Sequence, residues 1–232
     1  MKALVVIPAY NESEAILDTV KNVVDAGFDY VVVNDGSSDD TLAICQENGI
    51  NVLNLRNNLG IGGAVQAGHK YAYEHGYDVD IQFDGDGQHD AGYIATLLER
   101  VNSGADLVIG SRFIDKDADG FKSSFLRRVG IKWLCVCIKL TTGKKVTDPT
   151  SGFRATAHNA LKLFVSDYPT DYPEPESIVT AIKHGLKVEE CQVVMHERQG
   201  GASSIKPLSS IYYMLKVSIA ILIKGVFDRG NK

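Results

Sequence analysis

The sequence predicts an α/β fold: a mostly parallel sheet flanked by helices, closed by a C-terminal amphipathic helix. Three observations carry this. Short runs rich in β-branched residues recur through the first half, apolar throughout rather than alternating, as in strands buried on both faces. The segments between them carry apolar residues at helical spacing, and strand–helix alternation of this kind builds parallel sheets. A length of 232 residues with 44% hydrophobic content suffices for one large domain with its own core.

The elements follow in order. Ala3 to Ile7 reads as a first buried strand, its apolar run too short for a signal peptide. Ser13 to Ala26 has a stripe of Ile16, Leu17, Val20, Val23 and Val24, with Ser13 as its cap and Gly27 past its end. Further strands are expected at Tyr30 to Val33, Val52 to Leu55, Val79 to Phe83 and Leu107 to Ile109. Helices are expected at Thr41 to Glu47, Gly62 to Glu74 and Tyr93 to Val101. Phe113 to Ser124 is polar and reads as a mobile loop, and Phe125 to Leu140 as a helix bearing Arg127, Arg128, Lys132 and Lys139. Thr147 to Arg154 reads as a turn, Ser177 to His184 as a helix and Val188 to His196 as a strand. The long apolar segment Leu208 to Phe227 places a boundary between residues 1–205 and 206–232.

Composition excludes several classes. A net charge of −5 argues against a nucleic-acid binder. Cys45, Cys135, Cys137 and Cys191 form no C-x-x-C pair, so a zinc site is not expected, and a reducing cytoplasm is the simplest setting.

In parallel sheets ligands bind beyond the carboxyl ends of the strands. Pro8 to Glu12, Asn34 to Ser38, Asn57 to Gly63 and Asp84 to His89 all follow strands and converge on one rim. In Ile81-Gln82-Phe83-Asp84-Gly85-Asp86-Gly87-Gln88-His89-Asp90, Asp84 and Asp86 stand one residue apart at a strand end, and i and i+2 point the same way. Such a pair suits a hard cation bridging to a substrate diphosphate, and the glycines, Gly85 among them, let a bulky ligand approach the backbone. The same spacing at Asp78/Asp80, Asp115/Asp117 and Asp117/Asp119 reads as solvated charge. Asp35 stands where it can accept hydrogen bonds from a base or ribose; a turn with Asp39 or Asp40 capping the next helix is the structural alternative. Gly60-Ile61-Gly62-Gly63 is not a dinucleotide fingerprint, because Val65 stands where the third glycine belongs. Gly62 can expose a backbone N–H to an anion or serve tight packing. Thr147-Asp148-Pro149-Thr150-Ser151-Gly152-Phe153-Arg154 brings a carboxylate, hydroxyls and an arginine together, and Arg154 either meets a ligand or fixes the loop.

In combination these segments resemble the family 2 glycosyltransferases of the GT-A (Rossmann-like) fold, and among them the polyprenyl- and dolichyl-phosphate sugar synthases. The resemblance rests on Pro8-Ala9-Tyr10-Asn11-Glu12, Asn34-Asp35-Gly36-Ser37, Asn58-Leu59-Gly60, Asp84-Gly85-Asp86-Gly87-Gln88-His89, Gly110-Ser111-Arg112 and Ser151-Gly152-Phe153-Arg154. It implies that Pro8, Ala9, Tyr10, Glu12 and Asp35 line the nucleotide. Asp84 and Asp86, with Gln88, would hold Mg²⁺ or Mn²⁺ against the diphosphate. Arg112 and Arg127 match basic positions that meet the lipid phosphate, although Ile131 stands where the family often has a hydroxyl. Arg198 falls in a segment resembling a later Arg-x-Gly-Gly stretch and joins Ser151 and Arg154 as an acceptor-phosphate candidate. Arginine suits phosphate through its forked donors.

The implied reaction is inverting transfer of a monosaccharide, from UDP-glucose or UDP-N-acetylglucosamine, to a polyprenyl phosphate. A phosphate monoester is largely a dianion at neutral pH and needs no general base. Transfer to a hydroxyl of a glycan or glycolipid would need one; Asp148, as base or orienter, and Glu174 and Glu176 are the candidates, the two glutamates alternatively serving the first turn of the helix at Ser177 to His184. A nucleotide-sugar-binding scaffold without turnover is the reading of another class. Leu208, Ile211, Tyr212, Leu215, Ile219, Leu222, Ile223 and Val226 form a stripe opposite Ser209, Tyr213, Lys216, Ala220 and Lys224. Two lysines disfavour a span, so the segment is expected to lie on the inner face of the cell membrane or dock on an integral membrane partner, with a core helix or a helix joining copies of the chain as the alternative.

Overall fold

The computed structural model describes residues 1–115, 125–196 and 207–227. Seven strands form one sheet: β1 (Ala3–Ala9), β2 (Asp29–Asn34), β3 (Val52–Asn54), β4 (Val79–Gln82), β5 (Leu107–Ser111), β6 (Arg154–Ala157) and β7 (Val188–Gln192). Their order is β3-β2-β1-β4-β6-β5-β7, with β6 antiparallel to β4 and β5 and every other pairing parallel. Because β6 runs backwards, β5 and β7 point the same way as β1, β2, β3 and β4. The carboxyl ends of all six therefore share one edge, and β6 starts from it.

Among the described residues, eight α-helices cover the sheet: α1 (Ile16–Asp25), α2 (Thr41–Glu47), α3 (Gly60–Glu74), α4 (Ile94–Asn102), α5 (Phe125–Thr142), α6 (His158–Ser166), α7 (Pro173–Lys183) and α8 (Pro207–Phe227). Successive strand side chains alternate between the two faces. Val5 and Ile7 pack with Ile16, Val20 and Val23 of α1 and Ile94 and Leu97 of α4. Leu4 and Val6 pack with Ala64 and Ala72 of α3 and Leu161 of α6. A Cβ on Gly68 would come within 2.1 Å of Val6 Cγ1, so the glycine lets α3 lie directly on β1. Leu107 and Ile109 meet Leu134 and Ile138 of α5, Ile178 of α7 and Val217 and Ile221 of α8. The C-terminal helix thus contributes to the same core as the sheet.

Several expectations are corrected. Helix α1 starts at Ile16 rather than Ser13, and no side chain caps it. The amide of Ser13 donates to Asp39 Oδ2, and Glu12 O receives the amides of Ala15 and Ile16. Gly27, at φ +82°, ends the helix as expected. Arg154 opens β6 rather than closing a turn, and α6 was not foreseen at all. Residues 116–124 of the expected loop, and the segment containing Arg198, lie outside the described residues.

α8 is apolar on two faces. Val217, Ser218 and Ile221 point inward, while Leu215, Ile219, Leu222, Ile223, Val226 and Phe227 are exposed. α5 behaves alike, burying Leu134, Cys137 and Ile138 and exposing Val129, Trp133, Val136 and Leu140. The helices meet where Trp133 Nε1 donates to Ser218 Oγ at 2.8 Å. Lys216 pairs with Asp171, and Lys224 lies 3.6 Å from Asp167. No helix among the described residues is long and apolar enough to cross a membrane.

Candidate active site

The rim loops are cross-linked by short polar side chains. Asn11, at φ +56°, accepts the amides of Ser38 and Asp39 through Oδ1, while its own amide donates to Ser37 Oγ. The Glu12 amide donates to Thr41 Oγ1 at 2.9 Å. Asp35 is buried and accepts the amide of Leu59 at 2.7 Å, tying the loop after β2 to the start of α3. A Cβ on Gly36 would stand 2.8 Å from the Asn58 amide nitrogen, so this crossing requires glycine. Pro8 and Ala9 end β1 beside Gly85, whose amide donates to Pro8 O at 3.3 Å. Tyr10 is exposed at this edge. The predicted nucleotide-side residues Pro8, Ala9, Tyr10, Glu12, Asp35 and Gly85 thus lie along linked loops.

Gly62 lies elsewhere. Its amide donates to Thr170 O at 3.1 Å, and a Cβ there would strike the carbonyls of Pro169 and Thr170 at 2.2 and 2.3 Å. It serves close packing of α3 against the loop before α7, and its N–H faces a carbonyl rather than an anion.

Asp84 and Asp86 both stand at the rim, in different settings. The Asp84 side chain is 35% exposed; Gln82 Nε2 donates to its Oδ1 at 3.3 Å, and His89 Nε2 lies 3.2 Å from its Oδ2. Asp86 is buried, with Oδ1 accepting the Gln88 amide at 3.0 Å. Gln88 Nε2 donates to His196 O, and the His196 amide donates to Gln88 O at 2.9 Å. The chain beyond β7 therefore braces this run. Gly152 comes up against Asp84: a Cβ there would meet its carboxylate oxygens at 2.7 and 2.9 Å. We expect Gly152→Ala to displace Asp84 and cut turnover about tenfold or more, the scale for perturbing a group that supports a metal ligand; steady-state rates against an unchanged melting curve check this.

No group of three His, Cys, Asp or Glu side chains that could hold a metal occurs among the described residues. Asp84 and Asp86 nonetheless fit a hard divalent ion whose remaining ligands come from a diphosphate and water, the usual mode for Mg²⁺. They do not make a protein cage.

Across β6 lies a second polar cluster. Arg112, at the end of β5, donates from Nε to Asp148 Oδ2 at 2.7 Å and from Nη2 to Asp148 Oδ1 at 2.8 Å. Nη2 also reaches Thr150 Oγ1 at 3.1 Å. Glu190 of β7 accepts the amides of Thr147 and Asp148 at 2.8 and 2.9 Å, and burial outweighs these bonds in raising its pKa. Asp148 is fully buried and both its oxygens receive Arg112. It holds the arginine and is not placed to take a proton from an acceptor. Arg154 is also buried; its donors go to Ser151 O, Glu174 O, Ser177 Oγ and Pro149 O, so it fixes the loop. Ser151 is buried, and its Oγ accepts the Phe153 amide. Arg127 is exposed on α5.

Three neighbours of Asp84 were not singled out in the sequence: Gln82, His89 and Gly152. Gln82 had a signal, since it shares the face of Asp84 at i−2. Glu174 was weighed only as a base or a helix-start residue. Burial raises its carboxyl pKa, Arg154 opposes this, and Asp84 adds to the rise.

A parallel half-sheet carrying an Asp-x-Asp run at its edge, followed by a reversed strand and a second polar cluster, defines a glycosyltransferase of GT-A architecture. The chain belongs to glycosyl transferase family 2, whose family model matches residues 4–164. It is 33% identical over 210 residues to UDP-N-acetylglucosamine–dolichyl-phosphate N-acetylglucosaminyltransferase of Methanococcus voltae, covering 81% of this chain and 83% of that one. It is 34% identical over 216 residues to undecaprenyl-phosphate mannosyltransferase of Micrococcus luteus, covering 88% of each. Glucosyl-3-phosphoglycerate synthase from Mycobacterium tuberculosis, solved with Mn²⁺, UDP and phosphoglyceric acid, superposes with a TM-score of 0.72 at 20% identity, covering 97% of this chain and 78% of that one.

Proposed function

We propose that the protein transfers a monosaccharide from a UDP-sugar, UDP-glucose or UDP-N-acetylglucosamine, to a polyprenyl phosphate, inverting the anomeric carbon at the inner face of the cell membrane. The observation that carries this reading is Arg112, locked by Asp148 on the same sheet edge as Asp84 and Asp86. One end of the rim suits a diphosphate with its cation; the other offers a fixed guanidinium to a second phosphate. The relatives named above as dolichyl- and undecaprenyl-phosphate transferases support the acceptor class.

Chemically, Asp84, Asp86 and Gln88 would hold Mg²⁺ or Mn²⁺, which neutralises charge on the departing nucleoside diphosphate. Asp35 and Glu12 would orient the nucleotide. Arg112, with Arg127 and Arg198, would bind the acceptor phosphate and direct an oxygen at the face of the sugar carbon opposite the leaving group. The acceptor dianion attacks without a protein base, in keeping with an Asp148 wholly engaged by Arg112. The exposed apolar faces of α5 and α8, with exposed Lys132 and Lys139 beside them, would lie on an anionic membrane and present the rim to the carrier lipid.

Purified full-length protein with UDP-sugar and undecaprenyl phosphate in vesicles should form a lipid-linked sugar and release UDP. UDP release that requires a glycan or glycolipid hydroxyl, with undecaprenyl phosphate inert, rejects the reading. That second acceptor class would need a base, and Glu174, whose carboxyl is pushed up in pKa by burial, is the carboxylate to test by Glu174→Gln. Membrane docking is tested by flotation with anionic vesicles. The double variant Val136→Glu and Ile219→Glu should stay at the bottom of the gradient, and unchanged flotation rules out these faces as the contact.

A further inference from the structure

We infer that His89 is a positioning residue for Asp84, fixing the carboxylate in the orientation that receives a divalent cation and diphosphate. This deepens the donor site proposed above and rests on that reading. The His89 side chain is 2% exposed. Its ring stacks on Phe153 at 5.0 Å between centroids and meets Phe83 edge-on at 5.3 Å, while Phe83 and Phe153 contact each other at 5.5 Å. Three rings packed this way leave the imidazole no room to swing. Its backbone is also tied, with His89 O accepting Asn22 Nδ2 at 3.3 Å.

Burying an imidazole in an aromatic slot is costly unless a nitrogen finds a partner. The polar group His89 reaches is Asp84 Oδ2, 3.2 Å from Nε2; Nδ1 has no hydrogen-bond partner among the described residues. The approach is off the line of an aligned hydrogen bond, since Nε2 also lacks one by direction. It is a close polar contact at 3.2 Å. Because a carboxylate only accepts, the nitrogen facing it carries the proton. Asp84 is then held on three sides: His89 at Oδ2, Gln82 at Oδ1 and the backbone of Gly152 behind. Ligating carboxylates held by such partners bind metal more tightly than free ones, because less freedom is lost on binding. His89 touches no reacting atom and acts through Asp84.

The test measures Mn²⁺ binding by electron paramagnetic resonance, with UDP present, on the full-length protein. His89→Phe keeps the aromatic slot and removes both nitrogens. It should weaken Mn²⁺ binding about tenfold or more, the scale for loss of a partner that orients a metal ligand, with the melting curve in metal-free buffer unchanged. In an Asp84→Asn background the same substitution should have no further effect, as expected if it acts through that carboxylate. His89→Gln, which keeps an N–H donor, should recover part of the loss. Mn²⁺ affinity within twofold of wild type in folded His89→Phe overturns the inference, as does an undiminished effect in Asp84→Asn. A readout free of any substitution is the ¹⁵N spectrum of the wild-type ring: the Nε2–H tautomer is expected, and an Nδ1–H tautomer overturns the inference. Should wild-type protein bind no Mn²⁺ with UDP, the donor-site reading falls, whereas the ring spectrum tests the His89–Asp84 contact on its own.

Discussion

Replacing Asp86 with alanine is expected to lower turnover about a hundredfold or more, the scale for losing an electrostatic contact that serves the developing charge of a leaving group. The fold should survive. Asp86 makes a hydrogen bond to the Gln88 amide, and removing it costs on the order of 1 kcal/mol. Mn²⁺ should bind more weakly with UDP present, while the melting curve stays near wild type. Asp115/Asp117 and Asp117/Asp119 reach beyond the described residues, so Asp78/Asp80 provides the control, and it corrects the expectation of solvated charge, because Asp80 is buried within β4. Asp78 Oδ2 accepts the Lys2 amide at 2.7 Å, and Asp80 is buried against His69 with Oδ2 2.6 Å from Nδ1. Both belong to the framework, so Asp78→Ala should leave turnover unchanged. If Asp86→Ala kept full turnover in folded protein, the rim would not act through a cation held at this position.

The difference between these pairs shows what the sequence reveals and what it hides. Asp84-Gly85-Asp86 was legible because it ends an apolar strand run and sits among loops that each follow a strand. Parallel order then forces those loops together, so Asp35, Asp84 and Pro8 could be grouped without coordinates. The reversed strand β6 was not legible. Arg154-Ala155-Thr156-Ala157 is short and half polar, and nothing local reveals that the guanidinium will be buried by matching it to carbonyls of Ser151, Glu174 and Pro149. The same blindness hid which group Asp148 orients. Its partner Arg112 is 36 residues away, and the pairing exists only because β5 and β6 are neighbours. His89 reads as one letter of a motif, yet its surroundings come from Phe153, supplied by that unforeseen loop. By contrast, the outward stripe of α8 was visible, because Leu215, Ile219 and Leu222 recur at helical spacing. Its inward face, Val217 and Ile221, was obscured because that face is apolar too.

Asp148→Ala should damage the fold before it damages the chemistry. The substitution leaves the Arg112 guanidinium nearly buried without its carboxylate, and removing one partner of a buried pair costs about 3–5 kcal/mol. For a chain of this size that corresponds to a fall in melting temperature of about 10 °C or more. The loss should spread through the loop, because Asp148 also accepts the Arg112 amide at 3.2 Å and the Thr150 hydroxyl at the same distance. Asp148→Asn separates holding the arginine from general-base catalysis. The amide keeps the shape and one acceptor oxygen, so Arg112 retains part of its fork. A base would lose nearly all turnover on this change while the protein melts normally. A partner of Arg112 should instead give a modest drop in stability and a raised KM for the lipid phosphate, with the KM for the UDP-sugar unchanged. That split follows from the distance between the two ends of the rim: Asp148 touches the arginine at the end of β5, while Asp84 and Asp86 at the end of β4 keep their own partners. Turnover abolished in well-folded Asp148→Asn, with both KM values unchanged, would mean that the carboxylate itself moves a proton and that the acceptor is a hydroxyl rather than a phosphate.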